Sequence, residues 1–222
     1  MMTLKNARAL WLVGLGIEIG YGLDLMIYHK LPNLFIPMPE NFAIWIIYTV
    51  LILIAMKIIS DFADDRKIFY YSVTIFVIDL IMSLIDTPIA HFILRMHPTS
   101  HQKMLAILQK DLLFESISNW VVIIITAILY FLVLYKIYIF LKDIRFKISG
   151  IIYLIATGVS LVLGYIVFVM TWRSYASPKF FGNVNIPPKI SYHFLITADV
   201  LSYAALVVLI IAIIQMNTET NQ

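Results

Sequence analysis

Six stretches of the chain are apolar over the length a membrane helix needs, and polar residues gather between them. Crossing a hydrocarbon core takes about 20 residues in a helix that rises about 1.5 Å per residue. The pattern predicts spans over residues 9–28, 42–59, 68–93, 117–141, 148–172 and 193–216. His97-Pro98-Thr99-Ser100 reads as a stop followed by a helix start, because proline disfavours helix in the residue before it and Ser or Thr caps the first free amides. Residues 100–149 then contain neither Pro nor Gly. Within them Met104, Ile107, Leu108 and Leu112 recur at helical spacing, with Lys103, Gln109, Lys110 and Asp111 on other faces. This predicts an amphipathic interfacial helix over about 100–115, leading into the fourth span. Pro178, Gly182, Pro187 and Pro188 predict an irregular loop over 174–191. The expected fold is thus an all-α integral membrane protein over residues 1–222, a bundle of six transmembrane helices with one outer interfacial helix.

Composition agrees with this pattern. The set AVILMFWYC makes up 62% of the 222 residues, charged residues only 13%, and the mean hydropathy is +0.93. A soluble domain carries about 45 to 50% apolar and about 25% charged residues, so there is too little polar surface here for a particle that faces water. The connections are too short for a separately folded module. With no cysteine, disulfides, thiolate metal sites, iron–sulfur ligation and cysteine nucleophiles are excluded.

A net charge of +3 and a pI near 9.0 are mild. The basic residues lie in short connections, which bears on orientation and gives no nucleic-acid patch. Nine Lys and Arg fall at the amino terminus and in the second and fourth connections (Lys5, Arg8, Lys57, Arg66, Lys67, Lys136, Lys142, Arg145, Lys147). Seven fall on the other side (Lys30, Arg95, Lys103, Lys110, Arg173, Lys179, Lys189). Both termini are therefore expected in the cytoplasm, with the protein in the cell membrane. The first span follows Lys5 and Arg8 as a signal peptide would, but it holds Glu18 and Asp24 and lacks a small-residue cleavage pattern, so it reads as a retained helix. Trp11, Trp45, Trp120 and Trp172 fall near expected helix ends, where aromatic rings sit at headgroup level.

The glycines from Gly14 to Gly22 look at first like a nucleotide-binding motif, but that motif needs a strand-to-helix turn. Inside a span, Gly16-x3-Gly20 reads instead as a small face for close helix approach, and Ala156, Ser160 and Gly164 repeat the spacing in span five. The two faces are expected to meet other helices of the bundle, other membrane subunits or a second copy of the chain.

Ionisable residues inside the spans carry the chemistry. Glu18 and Asp79 fall near the midplane of spans one and three, where a charge costs about 2.5 to 3.5 kcal/mol or more. Asp79, Ser83 and Asp86 share one helix face, giving a polar stripe toward the outer side. Two readings stay open: protonated, hydrogen-bonded structural carboxyls, or a proton or cation path through Glu18, Asp79, Ser83 and Asp86. A second layer lies farther out, where Asp24, Asp86 and Asp199 each have a histidine near the same span end, His29, His91 and His193. Carboxylate and imidazole together suit a divalent or transition metal ion. Residues five apart on a straight helix point about 140° apart, so Asp86 and His91 need a kink, for which Pro88 is the candidate. No nucleophile-base pair, Gly-Ser elbow, His-Glu zinc-protease motif or paired-aspartate lipid-transferase signature is present. The expectations are proton-, cation- or metal-linked transport first, a non-catalytic subunit or assembly factor of a larger membrane complex second, and a membrane-embedded metal enzyme third.

Overall fold

A computed structural model of the chain describes residues 2–28, 38–95, 101–175 and 188–217. Among them the regular structure is entirely α-helical: α1 (Leu4–Tyr28), α2 (Met38–Phe62), α3 (Arg66–Arg95), α4 (His101–Leu141), α5 (Ile144–Tyr175) and α6 (Pro188–Ile214). Helices α1 to α5 each contain an expected span whole, and α6 covers the sixth, expected over 193–216, as far as Ile214. Over their described residues, four have stretches long and apolar enough to cross a membrane: Ala43–Phe62, Ser116–Leu141, Ile144–Met170 and Thr197–Ile214. The other two, α1 and α3, carry Glu18 and Asp79. The expected interfacial segment is helical and runs into span four without a break, so α4 is 41 residues long. At about 1.5 Å per residue it measures about 60 Å, twice a hydrocarbon core of about 30 Å, and its first part must lie beyond that core.

The helices carry exposed apolar stripes. Ile117, Val121, Ile124 and Ile128 of α4 recur at helical spacing with exposures of 39% or more, as do Val200, Val207, Ile211 and Ile214 of α6. Continuous apolar surface of this kind is not stable against water. A lipid bilayer is the medium that covers it.

The chain divides into two compact units. The first comprises Met1–Phe76, Leu132–Ile148 and Val207–Gln222. Its core is built from large side chains, among them Leu4, Met56, Ile59, Leu134, Ile137, Phe146 and Ile213. Trp11, expected at headgroup level, lies in this core at 3% exposure and stacks on Phe146 with ring centroids 5.9 Å apart. Helix α1 packs along α2, and the glycine that permits the approach is Gly14: a Cβ there would come within 2.8 Å of Ile52 Cγ1 and 3.1 Å of the Tyr48 carbonyl oxygen. The second unit comprises Val77–Phe131 and Ser149–Leu206. Its buried residues are small, Ala127, Ser149, Ala156, Ala198 and Ala205, with Leu163. Small residues let membrane helices approach closely, and the buried Ser149 hydroxyl donates 2.8 Å to the Ala205 carbonyl, tying α5 to α6.

Gly16 and Gly20, the expected packing pair, are exposed, and a Cβ at either would meet nothing within 4 Å. In span five the expected trio separates: Ala156 is buried, Ser160 is exposed, and a Gly164 Cβ would sit 3.2 Å from Trp120 Nε1. Gly14→Leu should therefore overpack α1 against α2 and cost about 1–3 kcal/mol. Gly16→Leu should leave thermal unfolding in detergent unchanged, and equal effects of the two substitutions would contradict this packing.

Candidate functional site

One end of the first unit gathers the chain ends and two turns. Thr3 caps α1, its hydroxyl accepting from the Asn6 amide at 3.3 Å. The turns after α2 and α4 are built alike: Asp64 and Lys142 take positive φ angles of 49° and 56°, and each is followed by an aspartate that caps the next helix. Asp65 accepts from the Lys67 amide and Asp143 from the Arg145 amide, both at 3.0 Å. Arg8 reaches the Ile214 carbonyl at 3.4 Å, which places the start of α1 beside the end of α6 and fills an acceptor that a helix terminus leaves open. Arg145 pairs with Asp143 at 2.6 Å and also donates to the Gln215 side-chain carbonyl. The Asp65 carboxylate pairs with Lys136 of α4 at 2.8 Å.

The Lys136 ammonium donating to it, with the Lys67 amide and nearby positive charge, holds the Asp65 carboxyl below the usual carboxylate range against an opposing effect of burial. Arg145 does the same for Asp143. These ties close one end of the unit; none offers a reactive group.

The acids lie elsewhere on α1 and α3. Leu4, Ala7, Trp11 and Leu15 form the buried side of α1, and Glu18 continues their three- and four-residue spacing. The opposite stripe, Ala9, Val13, Gly16 and Gly20, is exposed. Glu18 thus stands on the packed side of its helix, yet its own side chain is exposed. Among the described residues it makes no hydrogen bond or ion pair.

Asp79 stands near the middle of α3, two positions from each of the exposed Val77 and Ile81, hence about 160° around the helix from both. Register carries it to within about 20° of the buried Ile68. Its side chain is exposed on this side. Helix α3 continues unbroken through Ser83 and Asp86, so the expected spacing along one face holds for the backbone, although both side chains lie outside the described set.

The expected metal layer falls almost wholly outside the description. His29 and the side chains of Asp24, Asp86, His91 and His193 are not among the described groups; Asp199 is, and it is exposed. Helix α3 runs through Pro88 without a break. Among the described residues no three His, Asp or Glu side chains gather to hold a metal ion.

No protein-family model matches the chain, and no curated protein and no solved structure resembles it.

Several structural residues were not expected from sequence. Gly14 is one of four glycines between Gly14 and Gly22, and the sequence pattern did not single out Asp65 or Asp143. Their signal is an aspartate two residues before a basic one, directly after a helix end, which is a capping pattern. The Asp65 pair with Lys136 makes stability depend on pH. A carboxyl lowered on folding contributes above its ordinary pKa of about 4, and that contribution is lost as pH falls through the lowered value. Asp65→Asn keeps the cap but removes the charge, so it should cost about 0.5–1 kcal/mol at neutral pH and nothing once wild-type Asp65 is itself protonated. Melting in detergent across pH tests this; a constant difference at every pH would assign the loss to something other than the charge.

Proposed function

We propose that the chain is a membrane protein of proton- or cation-linked transport, in which Glu18 and Asp79 take up and release the cation. The observation that carries this reading is that each acid stands on the side of its helix away from the exposed apolar stripe and yet remains accessible. An acid facing lipid would contact only acyl chains, whereas Glu18, accessible on the packed side of α1, can exchange with water or ions that reach that side. Acidic lining favours protons and cations over anions, and Ser83 and Asp86 extend the same side of α3 toward its far end.

The proposed orientation puts both termini in the cytoplasm. Arg8 beside Ile214 supports a shared side for the two ends, and the Lys and Arg excess in the connections at that end supports the cytoplasmic side. Because the chain has no cysteine, single cysteines report without background. Asp64→Cys should resist an impermeant thiol reagent in intact cells, and Asn183→Cys should react. The reverse pattern would invert the assignment.

A second reading, a subunit of a larger membrane complex, draws on the open Gly16 and Gly20 face, where a partner helix would meet no side chain. Flux and mass measurements separate the two. In vesicles loaded with a pH indicator, wild-type protein should pass protons or a monovalent cation. Glu18→Gln and Asp79→Asn keep shape and most hydrogen bonding but cannot cycle a proton, and should fall to the rate of protein-free vesicles while unfolding like wild type. Full flux in both variants would return the acids to a structural role. A wild type that is inactive alone and purifies in one stable mass with other chains would favour the subunit reading.

A further inference from the structure

An open groove of about 540 Å³ lies on the first unit, lined by Val50, Leu53, Ile54, Lys57, Asp61 and Phe69 among others. Its long axis follows α2. From Val50 to Asp61 is eleven residues, about 16 Å of helix, which matches one leaflet of a hydrocarbon core about 30 Å thick. The apolar stretch Ala43–Phe62 ends where Lys57 and Asp61 stand. The groove is therefore apolar along Val50, Leu53 and Ile54, about 10 Å of helix before Lys57, and its charges, Lys57 and Asp61, stand toward the end where that stretch stops.

We propose that this groove holds a single phospholipid with a zwitterionic, amine-bearing headgroup, its acyl chain against Val50, Leu53 and Ile54, its phosphate at Lys57 and its ammonium at Asp61. An acyl chain gains little by leaving other lipid for an apolar wall, since lipid tails are as apolar as leucine, so selection rests on the two charges. Lys57 and Asp61 form an ion pair one helical turn apart, and their side chains remain 52% and 59% exposed. The Lys57 ammonium stands 5.9 Å from the Phe69 ring centroid, which holds it at the groove wall. An ammonium has three donors and a carboxylate several acceptor sites, so each partner keeps capacity after pairing with the other. A phosphate accepts from Lys57 while a headgroup amine donates to Asp61; an anionic headgroup without an amine meets the Asp61 charge unsatisfied. In the adjoining turn Asp64 and Asp65 offset Arg66 and Lys67.

The test is lipid retention by the purified full-length protein. Wild type in detergent is mixed with equal amounts of phosphatidylethanolamine and phosphatidylglycerol of the same chains, washed, and its bound lipid measured by native mass spectrometry. Wild type should keep a single phospholipid and prefer phosphatidylethanolamine. Ile54→Trp, a substitution at an exposed position, should fill the groove and abolish retention. Asp61→Asn frees Lys57 from its acid and should move the preference toward phosphatidylglycerol by about fivefold, the size of one exposed charge contact. Lys57→Ala should weaken retention of both. Retention in Ile54→Trp equal to wild type, a wild-type preference for phosphatidylglycerol, or no change of preference in Asp61→Asn would each overturn the proposal. The Asp61→Asn arm alters only an exposed side chain, so it decides the matter even if the tryptophan variant misfolds.

Discussion

With no water in the hydrocarbon, every peptide group must find its partner within its own helix. That requirement makes each spanning segment continuous and moves the unsatisfied backbone groups to the helix ends. This chain deals with its ends through side chains. Thr3, Asp65 and Asp143 each accept a first-turn amide, and Arg8 donates to a last-turn carbonyl of α6. Two of the helix stops use a non-glycine residue at positive φ, Asp64 and Lys142. That conformation is uncommon for such residues, and here the capping aspartate that follows immediately supplies a compensating bond. The backbone constraint thus creates the charged end of the first unit, and Lys136 and Arg145 are held there by the same aspartates that cap.

The two units solve the packing problem by different means. Large apolar side chains fill the first, where Trp11 stacks on Phe146 and Gly14 admits Ile52. In the second, alanines and Ser149 bring helix backbones together, and aromatic rings bridge what remains: Trp120 meets Phe168 at 5.5 Å and Tyr130 meets Tyr153 at 4.7 Å. Membrane helices gain no hydrophobic energy by leaving lipid for one another. Close contact, dispersion and a few interhelical hydrogen bonds must therefore hold them, and small residues permit all three. Deep interlocking in one unit and close backbone approach in the other are two answers to that same lack of hydrophobic force.

Against this background Glu18 is the residue that breaks the pattern of its helix. The buried side of α1 runs Leu4, Ala7, Trp11 and Leu15, and the next position of the series is an acid that stays accessible. A leucine there would prolong the stripe. Asp79 differs: Val77, Asp79 and Ile81 are all exposed, so α3 is open on both sides at its level. The groove beside α2 is apolar along Val50, Leu53 and Ile54, with Lys57 and Asp61 toward one end.

The sequence by itself determined the class, the number of helices and their places, because apolar runs of about 20 residues have one stable form in lipid. It also placed Glu18 and Asp79 within helices, since position along a rigid helix follows from residue count. It did not determine which side of a helix meets a neighbour. Gly14 bears the close contact with α2 while Gly16 and Gly20 stand open, and Trp11 is core when its place near a helix start suggested the headgroup layer. Hydropathy cannot make that distinction, because lipid-facing and helix-facing positions are equally apolar and the 3.6-residue period that marks a buried face in water disappears. Only the tertiary structure, by setting one helix against another, decided which glycine is a contact, which tryptophan is buried and on which side of its helix each acid stands.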